Sequence, residues 1–437
     1  MDFESIESAV PPPPRAGAIV GAVIDARGEI EALTEFKGRG PGTDAERRAA
    51  AHLVDRLENL GRGAETEQIE VWPNWPLTYA IHAALAIAGS VLSVSLPLLG
   101  AGLALVATIL TFLDANGMAL TTRRLLGRRA SQNVVSTEGG DKGGRLVLLA
   151  HYDAGRGGLA FTPWLQERRA ALGQLLRRPI GPFQPFFYAM VWVLICCLIR
   201  LPGIDNTILT VLQFLGTVML ILALPFLLDT AVARTVPGAN DNASGVATAL
   251  RLAERYGGEL DHFDVDVLLT GSEEALGLGM RGHLKRNRSE LDPERVVFLN
   301  VDEVGRGTVR FTEREGLVLP LKTHAQLVDL CREIVEDQED EDDDEDTTPV
   351  ARGMVSRTAG DASVARAAGF PAITITCKSR LDYTPGHHSP SDLPDRIDDE
   401  ALERAYAFCC ELIERLDATV GPDLDKPVEE TLLKEES

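Results

Sequence analysis

The 437-residue chain is short of several things, and each shortage narrows what it can be. Cysteine appears six times, in no spacing that suits a zinc knuckle or a secreted disulfide framework. Cys196 and Cys197 lie inside an apolar run, and Cys409 and Cys410 are adjacent within a helical pattern, so all six are expected as thiols in a reducing compartment. Cations are outnumbered, 43 Lys and Arg against 65 Asp and Glu, for a net charge of −22. That balance disfavours nucleic acid, whose phosphates require Lys and Arg, and favours cation partners, metals included. An apolar content of 45% excludes disorder throughout, and the length allows one large domain or two or three smaller ones.

Charge itself is missing over long stretches. Between Leu77 and Leu113 there is no Asp, Glu, Lys or Arg, and Pro97 sits near the middle. The run reads as two short spans folded at Pro97, a re-entrant hairpin, or one long tilted span; a buried core hairpin is the bland alternative. Ile180 to Ile199 and Thr207 to Leu228 are equally bare, and each reaches the ~20 residues needed to cross a hydrocarbon core. This later pair is the stronger candidate for a transmembrane hairpin. Arg123, Arg124, Arg128, Arg129, Arg168, Arg169, Arg177, Arg178 and Arg234 flank the runs on the polar side, whereas the connection Leu201 to Asn206 is poor in cations. The positive-inside rule then puts the polar sequence in the cytoplasm. Met1 to Pro14 has acidic residues and a Pro run, without a basic n-region or apolar h-region, so no signal peptide is expected.

The polar sequence reads as alternating helices and buried strands. Thr43 to Leu60 is a predicted helix, with Thr43 and Asp44 as N-cap candidates, Ala49, Leu53, Val54 and Leu57 on one face and Gly61 as the stop. Leu146 to Ala150, Val265 to Leu269, Val296 to Val301 and Ala372 to Thr376 are short continuous apolar runs, as expected of strands covered on both faces. Gly245 to Tyr256 and Leu402 to Leu416 supply helical patterns, which together predict a layered α/β plan. Glu336 to Asp346 has ten carboxylates in eleven positions and is expected as a solvated acidic loop.

Metal-binding residue types follow these runs. His151-Tyr152-Asp153 follows the first, Glu273-Glu274 the second and Asp302 the third; Asn240-Asp241-Asn242 precedes a helix and His387-His388 follows the last strand. Ligands gather at the carboxyl ends of strands in open α/β sheets, so these groups are candidates for one site. Singly, each has a structural explanation as a cap or a solvated pair. Together, imidazoles and carboxylates suit zinc or another divalent metal.

The order of motifs resembles the M28 family of metallopeptidases, the dizinc aminopeptidases and their relatives. The match runs through His151-Tyr152-Asp153, Gly238-Ala239-Asn240-Asp241, Glu273-Glu274 with Gly277-Leu278-Gly279, Asn300-Val301-Asp302 and His388-Ser389-Pro390. It extends to Arg39-Gly40-Pro41-Gly42 and to Ser131-Gln132-Asn133-Val134-Val135. The resemblance implies a three-layer α/β/α sandwich with a mixed, mostly parallel central sheet, here carrying two inserted transmembrane helical hairpins. It implies two zinc ions bridged by Asp241, with His151 and Asp302 completing one and Glu274 and His388 the other. Asp153 would orient His151, and Glu273 would be the general base for a metal-activated water. His387 stands where the family often has an aromatic hydroxyl, so either histidine could ligate; His388 is favoured because Ser389-Pro390 aligns with it. Gly360-Asp361-Ala362 replaces the family's usual Ser-Asp-His, which leaves Asp361 as a candidate pocket residue.

The implied plan is an N-terminal segment over 1–38, a peptidase domain over 39–76, 116–155 and 236–422 with an acidic loop at 336–346, and a tail over 423–437. A transmembrane hairpin over 77–115 and a second insertion over 156–235, with spans at 180–199 and 207–228, interrupt it. The expected function is hydrolysis of peptide substrates by a membrane-bound, multi-pass aminopeptidase, without nucleic acid. The alternatives are a carboxypeptidase, amidase or cyclase on the same scaffold, and a non-catalytic receptor that retained the fold. If the polar sequence is cytoplasmic, Asn206→Cys should react with an impermeant maleimide on intact cells and Gly139→Cys only after permeabilisation; the reverse pattern would invert the topology.

Overall fold

The computed structural model describes residues 24–341 and 351–421. The segment Met1 to Pro14, the acidic residues 342–346 and the tail at 423–437 lie outside them. Among the described residues one mixed sheet contains β1 Glu65–Val71, β2 Arg129–Ser136, β3 Gly144–His151, β4 Phe263–Thr270, β5 Val296–Val301, β6 Thr308–Glu315, β7 Leu321–Lys322, β8 Ala351–Ser356 and β9 Ala372–Lys378. Its order is β1-β2-β4-β3-β5-β9-β6-β7, with β8 paired to β6. The centre, β4-β3-β5-β9, is parallel, and the antiparallel pairs β1-β2, β2-β4, β9-β6 and β6-β7 lie towards the edges.

The helices are α1 Ala26–Glu35, α2 Asp44–Asn59, α3 Trp75–Leu92, α4 Pro97–Ala115, α5 Pro163–Leu175, α6 Gln184–Arg200, α7 Thr207–Val232, α8 Ser244–Tyr256, α9 Leu278–Arg286, α10 Ala325–Glu341, α11 Asp361–Ala367 and α12 Asp399–Thr419. The period-two alternation of β3 divides the core. Leu146, Leu148 and Ala150 join a cluster with α1, α2, α8, α10 and α12, while Val147 and Leu149 join α9 and α11 on the opposite face. Each large apolar side chain buried there contributes roughly 1.5–3 kcal/mol. Continuous apolar runs were needed because both faces are covered. α2 begins with a reciprocal cap: Thr43 Oγ1 accepts from the Glu46 N–H at 3.2 Å, and Glu46 Oε2 accepts from the Gly42 N–H at 2.8 Å.

The acidic run departs from expectation. α10 continues to Glu341 because Leu327, Leu330, Cys331 and Ile334 dock it on the sheet, so Glu336 to Glu341 are helical and not loop. Arg415 of α12 pairs with Asp337 at 2.6 Å.

The bare run around Pro97 forms two antiparallel helices, α3 and α4, and α6 and α7 pack against them. α3, α4 and α7 have 18, 19 and 26 residues and are long and apolar enough to cross a membrane. α6 has 17, because Gly181 and Pro182 delay its start to Gln184 instead of Ile180. The α3–α4 contact uses small residues, including Ala83, Ala86, Ala101, Ala104 and Ala107, which bring the backbones close. A Cβ on Gly100 would lie 2.3 Å from the Ser93 amide nitrogen and 2.5 Å from the Gly89 carbonyl oxygen. Outward, α7 presents Phe214, Leu215 and Leu222, each more than half exposed. A contiguous apolar surface of this kind needs a covering other than water.

The second insertion, with α5, α6 and α7, leaves and rejoins the sheet domain through a narrow neck. Arg156 and Thr235 form an antiparallel bridge, the Gly157 N–H donates to the Arg234 carbonyl at 3.1 Å, and the Val236 N–H donates to the Gly155 carbonyl at 2.9 Å. Gly100→Leu should separate α3 from α4; we expect a loss of about 1–3 kcal/mol, read as a lower thermal midpoint in detergent, and an unchanged midpoint would reject this packing.

Candidate metal centre

Three adjacent parallel strands deliver candidate ligands to one end of the sheet. β3 terminates in His151, β5 is followed by Asp302, and β4 leads into the turn that carries Glu273 and Glu274. Asp241 comes from the segment Ala239–Ala243 ahead of α8, and His388 from the loop after β9.

The carboxylate of Asp241 is central. Its Oδ1 lies 3.3 Å from His151 Nε2, which is itself 3.5 Å from Asp302 Oδ1. Its Oδ2 lies 3.4 Å from His388 Nε2, which is 3.0 Å from each oxygen of Glu274. One oxygen thus faces each half of the cluster. His387 Nδ1 is also 3.0 Å from Asp241 Oδ2, but its hydrogen bond goes to Glu303 Oε1 at 2.7 Å. Glu273 Oε2 stands 3.9 Å from His151 Nε2, farther than the other carboxylates.

Neighbouring groups hold these side chains in place. His151 Nδ1 bonds to the backbone carbonyl of Asp153 at 3.1 Å. The Asp153 carboxylate accepts from the Glu273 and Glu274 N–H groups at 3.0 and 3.1 Å, so Asp153 fixes the glutamate turn as well as the imidazole. Asp392 accepts from the Asn240 and Asp241 N–H groups at 2.9 and 3.0 Å. Arg39, fully buried, donates to the carbonyls of Tyr152, Pro237 and Gly238, tying the end of β3 to the Asp241 segment. Ser272, Leu276, Glu303 and His388 adopt positive φ without being glycine, and all flank the cluster. Such strain persists only where surrounding contacts over-determine the backbone.

Both helical insertions touch the cluster. Trp75 Nε1, at the start of α3, donates to the Glu274 carbonyl at 3.0 Å. Arg123, buried and paired with Asp114 of α4 at 2.6 Å, donates from Nη1 to the Ala275 carbonyl at 2.7 Å. From the second insertion, Gln166 Nε2 donates to the His387 carbonyl at 2.8 Å, and the Phe161 ring lies 4.4 Å from that of His388.

The electrostatics call for cations. Burial, reinforced by Asp361, Glu274 and Asp302, pushes the Glu273 carboxyl well above the ordinary glutamate value against the pull of His151. Burial also raises Glu274, with His388 opposing it. Burial disfavours the charged ring of His387, but Glu303 and Asp241 outweigh it and raise its pKa. Metals and protons compete for such a cluster.

The residues fit a metal. His151, Asp241 and Glu274 offer ligand atoms within 4.8 Å of one another, as do Asp241, His387 and His388. Asp241 Oδ2 and Asp302 Oδ1 are buried with no hydrogen-bond partner, a costly condition that a cation relieves. A Cβ on Gly155 would stand 2.4 Å from His388 Nε2 and 2.7 Å from Glu274 Oε1, so glycine keeps that side open.

Seven residues singled out in sequence, His151, Asp153, Asp241, Glu273, Glu274, Asp302 and His388, converge here. Asp361 accepts from the Thr270 hydroxyl and is buried; Gly360, not Asp361, lines the adjacent cavity. Glu303, Trp75 and Arg123 were not anticipated. Glu303 carried one signal, its place immediately after Asp302; the other two carried none beyond their position at the ends of apolar runs.

Residues 228–413 match the model of peptidase family M28. No curated protein matches the chain. Among solved structures, a glutaminyl cyclase from Tannerella forsythia is similar at 14% identity and TM-score 0.51, covering 90% of this chain and 98% of that one. A glutaminyl cyclase from Bacteroides thetaiotaomicron is similar at 14% identity and TM-score 0.50, covering 90% and 97%. A Zn-dependent exopeptidase from Parabacteroides distasonis gives 13% identity and TM-score 0.49, covering 92% and 100%. At these identities the likeness to the two glutaminyl cyclases shows the fold alone. Gly155→Val should crowd His388 and Glu274; we expect zinc content, measured by elemental analysis, to fall while the thermal midpoint stays within a few degrees.

Proposed function

From the match of residues 228–413 to the model of peptidase family M28, we propose that this chain is a zinc-dependent hydrolase of peptide bonds that acts on the N-terminal residue of its substrate. The observation that carries the reading is Asp241, whose two oxygens face His151 with Asp302 on one side and His388 with Glu274 on the other. In this reading His151, Asp241 and Asp302 would hold one zinc ion, and Asp241, Glu274 and His388 would hold the second.

Bound zinc would supply Lewis acidity, lowering the pKa of water and polarising the scissile carbonyl. The residues supply the rest. Glu273, kept out of the ligand set by its longer distance, takes a proton from the attacking water and delivers it to the leaving amine. Burial raises its pKa, which favours its holding the proton between the two transfers. Asp153 holds the glutamate turn through two N–H groups, so the shuttle and the adjacent ligand keep their separate directions. His387, oriented by Glu303, is a donor placed beside the cluster for charge developing on the carbonyl oxygen.

The apolar helices support a multi-pass membrane protein. The arginine-rich flanks support a cytoplasmic catalytic domain. Contacts from Trp75, Arg123, Gln166 and Phe161 support catalysis close to the membrane surface.

Full-length protein in detergent, analysed for zinc and given aminoacyl, N-blocked, C-terminal and N-terminal glutaminyl substrates, tests the reading. Glu273→Gln should retain zinc and lose turnover by a factor of about 10²–10⁴; zinc-loaded Glu273→Gln with unchanged turnover would reject its role. Formation of a cyclised product from the glutaminyl substrate would replace hydrolysis with cyclisation.

A further inference from the structure

The centre opens into a cavity of about 650 Å³, within the range of ~300–1,000 Å³ that holds sizeable organic ligands. One end is made by His151, Asp241, Glu273, Glu274, Asp302 and His388. The remaining wall is strongly apolar and comes largely from the helical insertions: Tyr79 of α3, Phe183 beside α6 and Phe186 within it, and Leu222, Ala223 and Phe226 of α7. Leu222 is 61% exposed and Phe226 38%, so the same stretch of α7 faces both the cavity and the surroundings of the apolar helices. From Met219 to Leu227 the α7 wall runs ~12 Å at the helical rise, longer than one amino-acid side chain requires.

Cations border the cavity as well. Arg169 of α5 and Arg357 line this cavity and an adjoining one of about 470 Å³, to which Arg177, Arg178, Arg352 and Lys378 also contribute. Among the described residues neither Arg169 nor Arg357 has a carboxylate partner, and Arg357 Nε is buried without a hydrogen bond. An apolar channel, a hydrolytic centre and unpaired guanidinium groups thus share one space.

We propose a further activity at this centre: hydrolysis of the amide bond of long-chain N-acyl amino acids. The acyl chain lies along α7, the amide carbonyl meets the centre, and the carboxylate is held by Arg169 and Arg357. The inference rests on the hydrolytic reading of the centre but not on an N-terminal exopeptidase direction. The oxygen of water bonds to the acyl carbon, the C–N bond breaks, and the proton carried by Glu273 leaves on the amine. The products are a fatty acid and a free amino acid, with no change of oxidation state. The chain reaches the cavity past Leu222 and Phe226, from the apolar medium that covers α7.

The test uses full-length protein with zinc content measured, assayed with N-acetyl-, N-octanoyl- and N-palmitoyl-leucine, each as acid and as carboxamide. Each buried CH₂ is worth ~0.8 kcal/mol, about fourfold, so kcat/KM should rise at least tenfold from acetyl to octanoyl. The acid should be preferred to the carboxamide, and Arg357→Gln should abolish that preference by raising KM for the acid. A second readout needs no turnover: in chelator-treated protein, a palmitoyl-leucine analogue with a chain-end diazirine should label α7 between Met219 and Leu227 or the facing residues of α6. Cleavage of peptides with no dependence on acyl length, or label scattered over the outer face of α4, overturns this inference and leaves the peptidase reading standing. Failure of zinc-loaded protein on every amide and peptide overturns both.

Discussion

The arrangement turns on the burial of more negative charge than the protein neutralises by itself. Asp153, Asp241, Glu274, Glu303, Asp361 and Asp392 are withdrawn from water within one neighbourhood, with Glu273 and Asp302 at its edge. Unpaired charge in such a setting costs several kcal/mol per ion. Some is offset by backbone donors, as when Asp153 and Asp392 each accept two N–H groups, and some by Lys378 against Glu303. What remains is concentrated on Asp241 Oδ2 and Asp302 Oδ1, which are buried without a hydrogen-bond partner. The positive-φ residues, the buried arginine that gathers three carbonyls and the open space beside Gly155 all serve to hold acids where repulsion would scatter them.

The helical insertions take part in that restraint. α3 and α4 reach the glutamate turn through the indole of Trp75 and the guanidinium of Arg123, and the second insertion reaches the histidine loop through Gln166 and Phe161. The two loops supply Glu274 and His388, which face each other across 3.0 Å. Each insertion therefore touches the loop of one partner of the same pair, the first through Trp75 and Arg123 and the second through Phe161 and Gln166, which lie ahead of its apolar hairpin.

Much of this was legible in the chain because physics leaves local marks. Strands covered on both faces must be apolar throughout, which made Leu146 to Ala150 and Val265 to Leu269 visible, and the carboxyl end of such a strand is where His151 becomes notable. The remainder was hidden for equally physical reasons. Glu303 acquires its role from His387 and Lys378, far along the chain, and Trp75 from a carbonyl that only folding brings near. The acidic run reads as loop by its composition, whereas Leu327, Leu330, Cys331 and Ile334 upstream decide that the helix continues into it as far as Glu341. The start of α6 was displaced by Gly181 and Pro182, which a charge-free window does not register.

The neck at Arg156 and Thr235 bears on how such a protein could arise. The second insertion lies between two groups that face each other, His151 and Asp241, and a long free tether there handicaps assembly of the centre. Closing a chain costs entropy that grows only with the logarithm of its length. With the ends of the insertion pinned side by side, that cost is met at the neck and not at His151 and Asp241. The neck is in effect a graft point. Helices of another length, or with another apolar lining, can be exchanged through it while the sheet and its acids stay as they are, provided the graft keeps a roof over the histidine loop. A lineage could in this way vary what reaches the chemistry without touching the chemistry.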